Sequence, residues 1–257
     1  MSINMNIGAY LARIGMESRP EGCTSANLRM LQTAHLTHVP YETVDIVRGV
    51  PFTLETEAVY DKVVNRRRGG YCFELNGLFA WLLRALGYPV TEYFGRFIRD
   101  KDPGIPMRRH RVLRVTTCDE GDFICDAGVG GVCPLWPIPM RLHTPWTEPN
   151  GTWRIEDIPF YGHLIEEYKH GEWSGYYCFT EESQVTADYE PMSFWCQNSP
   201  DSFFRKAVIA CIQTPTGRIA LRGREFHIFD GDRVEVIPFD TDEERDRMLG
   251  EYMGLHW

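Results

Sequence analysis

Apolar residues recur at helical spacing through the first third of the chain. Ile7, Tyr10, Leu11 and Ile14 fall at i, i+3, i+4 and i+7, one stripe of an amphipathic helix, and Gly15 closes it. A second helix begins with Thr24 or Ser25 as its N-cap, sets Leu28, Leu31 and His35 on one face, and must stop before Pro40. A third is predicted over residues 55–65, ahead of an arginine-rich turn. In the fourth, Leu75, Leu78, Phe79, Leu82, Leu83 and Leu86 make a broad apolar face that ends at Gly87, with Pro89 just beyond.

From Val90 onward the period shortens to that of β-strands. Runs over 90–98, 111–117 and 123–125, and further ones around Trp153 and over 176–179, are separated by turn residues such as Asp119-Glu120-Gly121-Asp122 and Glu148-Pro149-Asn150-Gly151. This predicts a small antiparallel barrel or sandwich. A short helix is expected over 191–196, and then strands over 207–213, 218–221, 225–229 and 233–238. Thr241 and Glu244 read as a capping box, with Met248, Leu249 and Tyr252 forming the apolar face of a last helix. The fold class is therefore α+β. Three regions are expected: helical residues 1–88, β-rich residues 89–190, and a mixed α/β piece over 191–257.

A chain of 257 residues, 43% hydrophobic and 25% charged, has the composition of a globular protein able to bury a sizeable core. Its net charge of -9 argues against general affinity for nucleic acid or anionic membrane, since neither polyanion attracts an acidic surface. Two basic clusters, Arg66-Arg67-Arg68 and Arg108-Arg109-His110-Arg111, read equally well as solvated turns or local basic pockets. The opening residues, from Met1 to Asn6, have neither a basic start nor an apolar stretch, so no secretory signal is expected, and no apolar run approaches the ~20 residues of a membrane helix. Eight scattered cysteines with no Cys-x-x-Cys pair suggest reduced thiols in a cytoplasmic protein and no metal site.

One cysteine has a distinctive setting. Cys72 follows Arg68-Gly69-Gly70-Tyr71 and opens the fourth helix, where unpaired N–H groups and the helix dipole favour a thiolate. The two glycines permit a tight turn before it. Taken alone, Cys72 reads more readily as a buried small hydrophobe. A nucleophilic cysteine needs a histidine base and a third group to orient it. His110, at the entry of one strand, and Asp126, at the exit of the next, would meet if those strands pair as a hairpin. Their plainer readings are a surface histidine in a basic run and an Asx turn before glycine.

The segment Arg68-Gly69-Gly70-Tyr71-Cys72-Phe73-Glu74-Leu75-Asn76 resembles the nucleophile motif of the arylamine N-acetyltransferases. The resemblance extends along the chain in order. Tyr10-Leu11-Ala12-Arg13-Ile14 is similar to the family's opening helix, and His35-Leu36-Thr37-His38-Val39-Pro40-Tyr41-Glu42-Thr43-Val44-Asp45 to its His-x-x-x-x-Pro-Phe-Glu-Asn-Leu-Asp segment. Asp126-Ala127-Gly128-Val129-Gly130 resembles its aspartate loop. Ser199-Pro200-Asp201-Ser202-Phe203-Phe204 and Thr216-Gly217-Arg218-Ile219-Ala220-Leu221 resemble C-terminal elements.

The resemblance implies a helical bundle bearing the cysteine, a central β-barrel bearing histidine and aspartate, and a C-terminal α/β lid on a core like that of cysteine proteases and transglutaminases. It implies a ping-pong reaction in which acetyl-CoA acylates Cys72 and an aromatic amine or hydrazine then takes the acetyl group. An oxyanion hole would use the Cys72 N–H and a second backbone donor. For the cofactor, the resemblance points to Gly128, Gly130 and Gly131, and less directly to Thr214, Thr216 and Gly217. Tyr41, Val129 and Phe204 fall where the family lines its acceptor pocket, with Tyr41 replacing the common Phe and Val129 a frequent aromatic. Two other readings use the same three residues: an amide synthase fed by a carrier protein, and a cysteine hydrolase or transglutaminase-like enzyme. A non-enzymatic binding protein would be expected to have lost one of the three.

Overall fold

The computed structural model describes residues 5–98 and 105–256, so Met1 to Asn4 of the expected signal-free start lie outside the described residues. Helices α1 (Ile7–Arg13) and α2 (Ser25–His38) form where the apolar spacing puts them. Thr24 caps α2, its hydroxyl accepting the Asn27 N–H at 3.3 Å. The segment after Pro40, to which the sequence pattern assigns no element, holds strand β1 (Tyr41–Glu42) and the short helix α3 (Val44–Arg48). Both are too brief to give a periodic signal. The third predicted helix is α4 (Thr56–Tyr60), which widens into a π turn over Asp61–Asn65.

Helix α5 (Cys72–Ala85) is interior: ten of its fourteen residues are buried, so it is wrapped on most sides rather than lying on a surface. Phe73, Leu75, Phe79, Leu82 and Leu83 are fully enclosed. Each such side chain contributes about 1.5–3 kcal/mol of transfer free energy. Their cluster also takes in Tyr10, Leu28, Leu113, Val115, Tyr189 and Phe204, residues drawn from all three expected regions.

The β-rich region is one eight-stranded antiparallel sheet of β2 (Val90–Phe97), β3 (His110–Thr117), β4 (Gly121–Cys125), β5 (Ile138–Pro139), β6 (Trp146–Glu148), β7 (Gly151–Ile158), β8 (Gly162–Lys169) and β9 (Glu172–Ser183). Its order is β5-β4-β3-β2-β9-β8-β7-β6, which leaves β5 and β6 as edges. The sheet is nearly closed rather than a fully laddered barrel. Glu148, at the end of β6, spans the gap by accepting the N–H groups of Leu135 at 2.9 Å and Trp136 at 3.3 Å, just before β5. Charge-rich β8, with Glu166, Glu167 and Lys169, is not marked by the sequence pattern because its buried apolar residues, Leu164 and Ile165, are adjacent and give no alternation.

Helix α6 (Thr186–Asn198) is longer at both ends than the expected 191–196, and tolerates Pro191 in its interior. Strands β10 (Ala210–Thr214), β11 (Gly217–Arg222), β12 (Glu225–Asp230) and β13 (Arg233–Pro238) follow, and α7 (Asp242–Met253) ends the fold behind the Thr241–Glu244 capping box. The second sheet runs β1-β10-β11-β12-β13, so the N-terminal third supplies its first strand. The architecture is α+β. Among the described residues no helix is long and apolar enough to cross a membrane.

Candidate active site

Cys72 is the first residue of α5, and the turn before it is set by close packing rather than by unusual dihedrals. Neither Gly69 nor Gly70 has a positive φ. A Cβ on Gly69 would overlap the Pro40 carbonyl and the Glu42 side chain, and one on Gly70 would lie 3.0 Å from a Glu74 carboxylate oxygen. Glu74 caps the helix in return, accepting the Tyr71 N–H at 3.0 Å. Behind it stands a buried ion network. Lys62 Nζ lies 2.9 Å from Glu74 and 2.8 Å from Asp45, and Arg68 lies 2.7 Å from Glu42 and 2.9 Å from Asp45. These carboxylates hold the Lys62 ammonium strongly in its charged form against the opposing effect of burial. A cavity of about 390 Å³ opens beyond the turn, against Asp45, Phe52 and Ser193, and is not lined by Cys72.

The hairpin expected of the two strands forms, with Leu113 opposite Cys125 and Thr117 opposite Gly121. It brings His110 and Asp126 together at its open end. His110 Nε2 donates to Asp126 Oδ2 at 2.6 Å, and both side chains are almost wholly buried. The other ring nitrogen, Nδ1, is buried without a hydrogen-bond partner. Asp126 Oδ1 accepts the Asn76 side-chain amide at 2.9 Å and the Gly128 N–H at 3.0 Å. The Cys72 thiol donates to the carbonyl of Arg109, the residue before His110, at 3.5 Å.

Burial pushes the Cys72 thiol well up, reinforced by Cys196 and by the negative charge of Asp126, while the backbone N–H groups of Arg111 and Phe73 pull it back. Burial and the helix start therefore act in opposite directions on this sulfur. Ionisation requires a base to take the proton. With Nε2 donating to Asp126, His110 Nδ1 is the ring nitrogen whose lone pair is left uncommitted.

The basic clusters are neither patches nor solvated turns throughout. Arg66 and Arg67 are exposed, but Arg68 is buried in the ion network. In the second run Arg108 faces Glu182, Arg109 lies over the Phe203 ring at 4.6 Å, and Arg111 is buried. Arg111 is paired with Glu92 and donates to the Phe73 carbonyl at 3.0 Å.

The residues expected around a cofactor are placed unevenly. The space a Cβ would occupy on Gly128 is taken by Cys72 Cα at 2.8 Å and by Asn76 at 2.9 Å, and on Gly130 by the Tyr41 ring at 2.6 Å. Their glycines let this chain pack against itself. Gly131 alone of the three faces open space. Its carbonyl accepts the Gln213 side chain at 2.9 Å, which ties it to β10 and hence to Thr214. Gly217 is pressed against the backbone of Phe229, and the Thr216 carbonyl accepts the Gly231 N–H at 2.8 Å. Of the pocket candidates, Tyr41 and Phe204 share the buried cluster of Cys72, whereas Val129 packs with Leu36, Cys133 and Leu135 in another.

Sequence reasoning missed two residues that fix this geometry. Asn76 donates to the Arg111 carbonyl at 2.6 Å as well as to Asp126, and accepts the Ala127 N–H at 2.8 Å. Gln32 accepts the Asp126 N–H at 3.2 Å from the far side. Asn76 was visible as a polar residue on a mostly apolar helix; Gln32 carried no signal. Among the described residues, no group of three or more His, Cys, Asp or Glu side chains is gathered where it could hold a metal ion.

An α+β protein with a helix-start cysteine and a buried histidine–aspartate pair is placed by comparison with known proteins. A family profile described as N-acetyltransferase matches residues 24–257. The arylamine N-acetyltransferase of Mycolicibacterium smegmatis is 33% identical over 244 residues, covering 92% of this chain and 87% of the relative. The Salmonella typhimurium arylamine N-acetyltransferase / N-hydroxyarylamine O-acetyltransferase is 34% identical over 251 residues, covering 96% and 88%. The structure of Mycobacterium marinum arylamine N-acetyltransferase in complex with CoA superposes with a TM-score of 0.90 at 30% identity, covering 97% of this chain and 92% of that one. The chain belongs to the arylamine N-acetyltransferase family.

Proposed function

We propose that this protein moves the acetyl group of acetyl-CoA, through a thioester on Cys72, to the nitrogen of an aromatic amine or hydrazine. The observation that carries the reading is the buried bond from His110 Nε2 to Asp126, which leaves Nδ1 as the free nitrogen of the ring. In that tautomer His110 accepts the Cys72 proton, and Asp126 stabilises the imidazolium that results. The thiolate attacks the acetyl carbonyl, CoA leaves with a proton from His110, and the acyl-enzyme waits for its acceptor. His110 then takes a proton from the attacking amine as the Cys72 thiolate departs. The CoA complex of the M. marinum relative supports the donor, and the names of the relatives support the acceptor class.

Gly131 and the β10–β11 turn at Thr214, Thr216 and Gly217 are read as the donor side of the site, and Tyr41, Phe204 and Val129 as the acceptor side, Val129 packing in a separate apolar cluster. Residues 1–88, 89–190 and 191–257 are read as bundle, barrel and lid on a protease-like core, and a cytoplasmic setting would keep the nucleophile reduced. Mixing the protein with acetyl-CoA and weighing it intact tests the chemistry. One acetyl mass is expected on the wild type and none on Cys72→Ser, and the adduct should vanish when an arylamine is added. An unmodified wild-type mass would overturn the reading. Hydrolysis of the adduct at the same rate with and without amine would turn it into a hydrolase.

A further inference from the structure

Two of the eight cysteines are reached by solvent, Cys118 fully and Cys23 in part; the other six are buried. These two also meet. The Cys118 N–H donates to the Cys23 carbonyl at 3.0 Å, although 95 residues separate them in sequence. A direct backbone bond of this kind keeps facing residues on the order of 5–6 Å apart at Cα. That lies within the roughly 4.4–6.8 Å that a disulfide spans. The Cys23 thiol is also close enough to push the Cys118 thiol up, an effect that reinforces slight desolvation. Around them the contact is tightly built. Ser25 N–H donates to Asp119 at 2.9 Å, the Ser25 hydroxyl reaches Asp119 and Glu120, and the Tyr88 hydroxyl donates to the Thr24 carbonyl at 3.0 Å.

We propose that Cys23 and Cys118 form a reversible disulfide when the protein meets a small-molecule disulfide such as oxidised glutathione. One thiol loses its proton, and its thiolate attacks a glutathione sulfur, forming a mixed disulfide and releasing one glutathione thiolate. The second protein thiolate then attacks the protein sulfur of that mixed disulfide and expels the other glutathione. Two electrons pass from the protein pair to glutathione disulfide, and the two thiol protons end on two reduced glutathiones.

The link would join the residue before the α2 cap to the residue after β3. Helix α2 carries Gln32, which holds the Asp126 backbone, and β3 begins at His110. The bond therefore closes the frame behind the catalytic pair without touching Cys72. Little change is expected in activity, and a gain in stability is expected because a long loop is closed in the unfolded chain.

The full-length protein is incubated with oxidised glutathione at mildly alkaline pH, remaining thiols are alkylated, and non-reducing peptide maps are read by mass spectrometry. A peptide linking Cys23 to Cys118, lighter by two hydrogens and released by dithiothreitol, is expected. The oxidised wild type should melt a few degrees higher than the reduced form, and Cys118→Ser should lose both the link and the shift. Stable glutathione adducts on either cysteine with no cross-link would overturn the proposal. So would a cross-linked protein that melts at or below the reduced temperature, since the bond would then not fit the native frame. Both readouts are independent of acetyl transfer, so failure here leaves the proposed activity standing, and the reverse.

Discussion

His35 shows how one buried side chain sets a pH limit. It donates to or accepts from the Tyr10 hydroxyl at 2.9 Å through Nδ1, packs against the Phe79 ring, and leaves Nε2 unpartnered. Burial, with Arg13 and His38 adding repulsion, pushes its pKa down to about 3. In the unfolded chain the same ring titrates near 6.5. Between those values the unfolded state binds the proton and the folded state does not, so stability falls as pH drops from about 6.5 toward 3. The slope from this residue is at most about 1.4 kcal/mol per pH unit. Urea unfolding at pH 7 and pH 5 should therefore show a smaller loss of stability in His35→Gln than in wild type, whatever the variant costs at pH 7. An equal loss in both would remove His35 as a source of acid lability. From sequence, His35 was legible as a polar residue on an apolar face and as the first residue of a family-like segment. Its neutrality depends on Tyr10 and Phe79, which no local pattern brings to it.

At the scale of elements, the site is a junction between α5 and the β3–β4 hairpin, and Asn76 is its principal bolt. Its amide bonds β3 at Arg111, the carboxylate of Asp126 and the backbone of Ala127 together. Asn76→Ala would leave the Ala127 N–H without its acceptor and Asp126 with one donor fewer, at a cost of about 1–3 kcal/mol in stability. Acetylation of Cys72 under stopped-flow conditions should slow by tens-fold or more while the fold survives. A variant that is less stable yet acylates at the wild-type rate would make Asn76 structural only. The elements of this junction were readable because each has a strong period: α5 from its leucines, β3 and β4 from alternation around a turn. What was unreadable is the pairing across them. Arg68 and Arg111 sat in runs that read equally as solvated turns or basic pockets, and only the fold shows carboxylates from positions 42, 45 and 92 paired with them.

For the whole molecule, residues from all three expected stretches share their interior. One cluster runs from Tyr10 to Phe204, and another packs Val44 of α3 against Leu221, Phe226 and Leu249 from the C-terminal piece. A fragment ending at residue 198 would strip Phe204 from the first cluster and every strand partner from β1. It is expected to lose the cooperative urea transition of the full chain, as followed by circular dichroism. A sharp transition in the fragment at the wild-type midpoint would show that the first two regions stand alone. The sequence suggested three consecutive units because periodicity changes at residues 88–90 and again near 190. It could not show that Tyr41 and Glu42, two residues long and without a pattern of their own, cross from the first unit into the sheet of the last.

That crossing strand binds the Gly69-Gly70 turn and the C-terminal sheet at once. The Glu42 N–H donates to the Gly70 carbonyl at 2.8 Å, the Thr43 N–H donates to the Ile209 carbonyl at 3.0 Å, and the Ile209 N–H returns to the Thr43 hydroxyl at 2.9 Å. Residues 40–43, the Gly69-Gly70 turn and the start of β10 consequently form one inheritable block. A chimera that imports its last sixty or so residues from a relative would have to import that relative's residues 40–43 with them. Grafts cut at the apparent boundary near 190 would misalign the sulfur while leaving every residue around it unchanged.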